Sequence, residues 1–144
     1  IHFCIHGLNY ETPTVMVDKI VLEETESAKF LGVHLDKGLT WKVHIESVCA
    51  KLASGIFVLR NLSKLCTSDI LMMAYYGLIF PFLSYGISLW GSCAISNLER
   101  VFRLQKKAVR IIAKLNNRES CRSAFRELNL LTLPSLYILE TSFY

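Results

Sequence analysis

Over the first forty positions, apolar residues come in short alternating runs separated by turn-forming residues. In Ile1–Ile5 (IHFCI), Ile1, Phe3 and Ile5 alternate with His2 and Cys4, and Gly7, Asn9 and Pro13 come next. That is the pattern of a strand and its turn signals. Val15, Val17 and Ile20 to Leu22 predict a second strand. Lys29–Leu35 (KFLGVHL) predicts a third, ended by a turn at Asp36-Lys37-Gly38. Three short strands are marginal as a free sheet and need helices or further strands against them.

Beyond residue 41 the apolar period changes to three and four. Ile45, Val48, Cys49, Leu52, Ile56 and Leu59 share one face of a helix between His44 and Leu59. Thr67, Ser68 and Asp69 supply N-cap chemistry and a first-turn carboxylate for the next helix. Its apolar run continues through Phe80, is interrupted by Pro81, and leads to Tyr85-Gly86 and Trp90-Gly91. Leu98–Leu115 predicts another helix, stopped by Asn116-Asn117. Ser120–Leu128 and Pro134–Phe143 predict two more, with Pro134 suited to a first turn. The expected class is α+β: a small antiparallel β fragment over 1–40 and a helical bundle over 41–144.

The chain has 144 residues, 52% of them hydrophobic. That is one domain's worth of sequence and too apolar to remain disordered. Its five cysteines show no zinc or disulfide spacing, which predicts a reduced, intracellular chain with mostly buried thiols. It opens on Ile1 without a signal peptide and is expected to be a piece of something longer. Ile70–Trp90 carries no charge and is long enough to span a bilayer. Ser84, Ser88, the pair Tyr75-Tyr76 and Pro81 instead favour two core helices joined at Pro81, with no membrane partner.

Charge sharpens the division. Residues 1–40 hold three Lys against six acids, whereas residues 41–144 hold thirteen bases against six acids, so net charges of −3 and +7 sum to +4. On the helix Leu98–Leu115, Arg100, Arg103, Lys106, Lys107, Arg110 and Lys114 fall within an arc of roughly 120°. Glu99 shares that side at the helix tip, and Arg118, Arg122 and Arg126 extend the positive stretch. Cations spaced this way repel one another by a few tenths of a kcal/mol per pair. A phosphate backbone would relieve the repulsion. Lipid head groups would do the same, and a solvated face with no partner is the plain alternative.

Catalytic equipment is sparse. Asp18, Asp36 and Asp69 form no adjacent pair for two-metal phosphoryl transfer. Asp36 and Asp69 suit a turn and a helix start. His2 and His6 lack a third ligand, and no glycine-rich phosphate loop is present. No metal site, catalytic residue or small-molecule ligand is expected.

Several blocks then occur in a familiar order. They are Lys29–Asp36 (KFLGVHLD), Leu39-Thr40-Trp41, His44-Ile45, Tyr75-Tyr76, Phe80-Pro81, Tyr85-Gly86 and Trp90-Gly91. Leu104–Ile112 (LQKKAVRII), Ser120-Cys121-Arg122 with Phe125, and Leu130–Leu133 (LLTL) complete the set. Across nearly the whole chain this resembles the region after the catalytic palm in reverse transcriptases of jockey-like non-LTR retrotransposons. The resemblance implies a palm remnant over 1–40, with a primer-grip strand and turn at Phe30, Leu31, Gly32 and Val33. It implies a thumb and post-thumb region over 41–144, whose basic helix tracks the duplex through Arg103, Lys106, Lys107, Arg110 and Lys114.

The implied partners are an RNA–DNA template–primer duplex and the upstream fingers and palm of the same polymerase. The parent enzyme would use Mg²⁺. The family's Tyr-x-Asp-Asp block has no match here, so no catalytic aspartate is carried over and the fragment is expected to be inactive alone. Two other readings are a co-opted helical protein-interaction module and a membrane-associated basic helical protein.

Overall fold

In the computed structural model, which describes residues 1, 3 and 14–143, Asp18 (φ 47°) and Lys19 (φ 68°) turn the chain back on itself. The expected second strand is therefore two: β1 (Met16–Val17) and β2 (Ile20–Val21), antiparallel, with Met16 opposite Val21. The third expected strand is corrected for the same reason. Leu31 (φ 46°) and Gly32 (φ 82°) form a two-residue turn inside KFLGVHL. It joins β3 (Ser27–Phe30) to β4 (Val33–Asp36), with Phe30 opposite Val33 and Ser27 opposite Asp36. Two consecutive positive φ angles give the turn whose twist matches that of paired strands. The strand expected over Ile1–Ile5 lies outside the described residues.

Asp36 ends the hairpin and shapes the turn after it. Its carboxylate accepts from the backbone N–H groups of Thr40 and Trp41, each at 2.8 Å. The Lys37 ammonium pairs with Glu24 at 2.7 Å and Glu26 at 3.5 Å. His44 Nδ1 accepts from the His34 N–H at 3.4 Å. These contacts belong to a compact unit formed by Ile1–His44, and Ile45–Tyr144 forms a second.

The second unit is helical. On α1 (Lys42–Leu62) the expected face is buried at Ile45, Val48, Leu52, Ile56 and Leu59, with Cys49 half-buried. Each of these aliphatic side chains contributes roughly 1.5–3 kcal/mol relative to exposure, before chain entropy is counted. α2 (Ser68–Leu78) begins after Thr67, whose extended backbone occupies the N-cap position without a side-chain bond, and carries Asp69 in its first turn. Gly55 lies where α1 meets the end of α2. A Cβ there would be 2.8 Å from both Ile79 Cδ1 and the Leu78 carbonyl oxygen.

The charge-free stretch is cut into three pieces rather than two. After α2 come α3 (Phe80–Ser84) and α4 (Ile87–Trp90). The first break falls at Ile79 (φ −118°, ψ −57°), not at Pro81, which lies inside the first turn of α3. Proline has no N–H to continue α2 and constrains the residue before it, so the earlier helix closes ahead of it. The second break uses Gly86 at φ 64°. The buried Trp90 indole N–H then donates to the Tyr85 carbonyl at 2.9 Å. Among the described residues no helix is long and apolar enough to cross a membrane.

α5 (Ile95–Ile112), α6 (Arg122–Glu127) and α7 (Leu133–Ser142) complete the unit. Gly91 packs against the Tyr137 ring of α7, where a Cβ would clash. α5 ends three residues earlier than expected. Lys114 adopts φ 54°, its N–H bonds the Ile111 carbonyl at 3.3 Å, and the Leu115 N–H bonds the Arg110 carbonyl at 2.9 Å. This is a Schellman stop, and it acts before Asn116-Asn117 is reached. α6 ends the same way at Asn129 (φ 52°), a residue type that tolerates this backbone. Pro134 lies in the first turn of α7, and Thr132 Oγ1 accepts from the Ser135 N–H at 3.3 Å. The architecture is α+β.

Candidate nucleic-acid interface

α5 is rotated by what its inner face needs. Val101, Ala108, Val109 and Ile112 are buried there, and so is Gln105. A buried amide must find partners, and this one finds three. Gln105 Nε2 donates to Tyr75 Oη at 3.1 Å and to the Leu131 carbonyl at 2.9 Å, while Oε1 accepts from the Leu133 N–H at 2.8 Å. The network ties α5 to α2 and to the start of α7. Burial pushes the Tyr75 hydroxyl up to about 12, and the Gln105 hydrogen bond partly opposes that rise. Three blocks that carry the family resemblance, around Tyr75, Gln105 and Leu130–Leu133, thus meet at one buried side chain. Its signal in the sequence is a polar residue in the middle of an apolar helix face.

With that face inward, the cations face outward. Arg100, Arg103 and Lys107 are exposed, and Lys106 and Arg110 are half-buried. Lys114, also exposed, stands beyond the end of α5 in left-handed backbone, outside the helical row. Lys106 Nζ lies 4.6 Å from the Phe102 ring centroid, and Arg110 Nε donates to the Glu119 carbonyl at 2.9 Å. Glu119 turns its carboxylate to the backbone N–H and side-chain amide of Asn116. Among the described residues the ion pairs are those of Lys37, and none engages a cation of α5. Arg122 of α6 lines a cavity together with Lys106 and Arg110.

The other expected site is the β3–β4 turn, within the first unit. Phe30 and Leu31 are exposed at its tip, at 63% and 74%, whereas Val33 is 6% exposed. Leucine is strained in a left-handed backbone at this position, where asparagine or glycine is the usual choice.

The thiols of Cys49, Cys66 and Cys93 are half-buried, Cys121 is buried, and all four are free; Cys4 lies outside the described residues. Burial pushes the Cys49 and Cys93 thiols up, and the Arg100 guanidinium partly offsets this at Cys49. Raised thiols are poor nucleophiles at neutral pH. His2 and His6 also lie outside the described residues. Among those described, no group of three or more His, Cys, Asp and Glu could hold a metal ion. Asp36 is committed to backbone N–H groups. The described side chains do not fit a two-metal phosphoryl-transfer centre.

No family model matches the chain, and no solved structure does. Curated proteins do match. The chain is 29% identical over 145 residues to the probable RNA-directed DNA polymerase from transposon BS of Drosophila melanogaster, covering 99% of this chain and 16% of that protein. It is 32% identical over 104 residues to the probable RNA-directed DNA polymerase from transposon X-element of the same species, covering 69% of this chain and 11% of the relative. It is 31% identical over 107 residues to the RNA-directed DNA polymerase from mobile element jockey of Drosophila funebris, covering 72% and 12%. The chain therefore spans about a sixth or less of the length of these relatives. By sequence the chain is related to one segment of the RNA-directed DNA polymerases of such mobile elements, jockey among them.

Proposed function

We propose that this chain is the primer-grip and thumb part of such a polymerase and that it holds the template–primer duplex without performing the chemistry. The observation that carries the reading is the outward cationic face of α5, whose bases form no ion pair among the described residues, set opposite a packed inner face. Arg103, Lys106, Lys107, Arg110 and Lys114 hold backbone phosphates, which requires charge and shape rather than base reading. Phe30, Leu31, Gly32 and Val33 form the turn that bears on the primer end, and its exposed apolar tip supports that role. The upstream fingers and palm of the parent enzyme supply the catalytic aspartates and hold its Mg²⁺, and the complex works inside the cell. The chain alone is inactive.

The test replaces Arg103, Lys106, Lys107 and Arg110 with Glu and measures binding of a labelled RNA–DNA hybrid by fluorescence anisotropy. Four lost phosphate contacts should flatten the log–log salt slope by about 3 to 4. Across roughly 50–200 mM salt, that removes about a hundredfold of salt-dependent change. An unchanged slope overturns the proposal, as does binding that responds only to anionic liposomes.

A further inference from the structure

Beside the stripe, α5, α6 and the segment before α7 enclose a cavity of ≈ 280 Å³. Lys106, Arg110 and Arg122 line it, together with Ser120 and Thr132. Its apolar wall is the ring pair Phe102 and Phe125, with centroids 6.2 Å apart. No carboxylate is among the described residues that line it. Glu119, on the loop that Arg110 meets, has both carboxylate oxygens hydrogen-bonded to Asn116. Its backbone carbonyl instead receives Arg110 Nε at 2.9 Å and orients the guanidinium. Lys106 is held over the Phe102 ring, with Nζ 4.6 Å from the centroid.

Three positive charges from two helices thus share one partly enclosed volume, walled by rings that offer no counter-charge. Such an arrangement is relieved by a compact oxyanion with several acceptor oxygens, and two guanidinium forks match a phosphate better than a diffuse cloud of ions. The geometry points to a seat for a single phosphate group of a nucleic-acid backbone, with Arg122 of α6 as its added contact and Lys106 and Arg110 shared with the stripe. The seat rests on the duplex-binding reading of α5. It adds a fixed anchor to a helix that otherwise grips through charge alone. Arg126, on the same short helix but outside this cavity, carries the same charge without the seat.

The test compares Arg122→Gln with Arg126→Gln in the full chain, both at exposed positions, with far-UV circular dichroism as a check on folding. Anisotropy titrations of a labelled RNA–DNA hybrid are run at several salt concentrations. Arg122→Gln should weaken binding several-fold and reduce the salt slope by about 1, and Arg126→Gln should leave the slope unchanged. Equal behaviour of the two variants overturns the seat. If the fourfold Glu variant of α5 keeps the parent slope, the duplex-binding reading itself has failed. If that variant flattens the slope while Arg122→Gln does not, only the seat has failed. In a second arm inorganic phosphate alone is titrated while the arginine Nε–Hε signals are monitored by NMR. Saturable shifts at Arg110 and Arg122 in the parent chain, with the Arg110 shift lost in Arg122→Gln, support the seat. If phosphate saturates the site and hybrid binding ignores Arg122→Gln, the seat serves a free phosphate and its assignment to nucleic acid is overturned.

Discussion

Replacing Gln105 with Leu tests what sets the rotation of α5. The substitution keeps the volume close to native and removes three hydrogen bonds, of 3.1, 2.9 and 2.8 Å. Tyr75 and Leu133 are 0% and 1% exposed. The Tyr75 hydroxyl and the Leu133 N–H therefore lose their partner with little access to water. The Leu131 carbonyl belongs to a residue 45% exposed and can meet solvent. Two buried unsatisfied groups at about 1–3 kcal/mol each, less a small gain from burying leucine in place of an amide, give a loss of roughly 2–5 kcal/mol. Native domains are stable by about 5–15 kcal/mol, so this is a large fraction of the total. In urea denaturation monitored by circular dichroism the midpoint should fall at constant m-value, and the melting temperature should drop by roughly 5–15 °C. Tyr75→Phe breaks one of the three bonds and should cost only about 1 kcal/mol. A Gln105→Leu loss below about 1 kcal/mol, or one no larger than that of Tyr75→Phe, would refute the argument that this amide locks the helix.

The same region has two further testable properties. Tyr75 has its pKa raised to about 12 in the folded chain, against about 10 unfolded. Stability should therefore be complete below pH ~10 and decline by roughly 2–3 kcal/mol as pH rises from about 10 to 12, because the unfolded chain loses the proton first. Tyr75→Phe should show a shallower alkaline decline than the parent; identical slopes would sink the assignment. Lys114, at φ 54° in the stop of α5, should be replaceable by Gly with a net gain of roughly 0.5–1 kcal/mol in thermal unfolding, since glycine adopts this backbone without a Cβ clash. Destabilisation by Lys114→Gly would mean that the lysine side chain contributes more than its backbone costs.

Periodicity located α1 and α5 and the side of each that turns inward, because a 3.6-residue repeat leaves few other ways to cover that much apolar surface, whereas α6 and α7 were expected as helices without an assigned face. It also placed most of the cations opposite the core of α5, since both are consequences of the same repeat. The two hairpins were hidden. Alternation continues on both sides of a two-residue turn, and neither Asp18-Lys19 nor Leu31-Gly32 has the Asn-Gly or Asp-Gly signature that would have marked it. The break at Ile79 was displaced from Pro81 because a proline acts on the turn before it.

Other features depend on partners far away in sequence. Gln105 shows in the sequence only as a polar residue on an apolar face, and its partners emerge once Tyr75 and Leu133 come within hydrogen-bond distance, 30 and 28 positions away. The cavity shared by Lys106, Arg110 and Arg122 exists only once α6 has folded back beside α5. Local repeats determine which residues form helices and which sides face inward, because those preferences act over three or four positions. Tertiary structure decides which polar groups must meet and where charges converge, because only closure of the chain brings distant residues together and excludes the water that would otherwise have satisfied them.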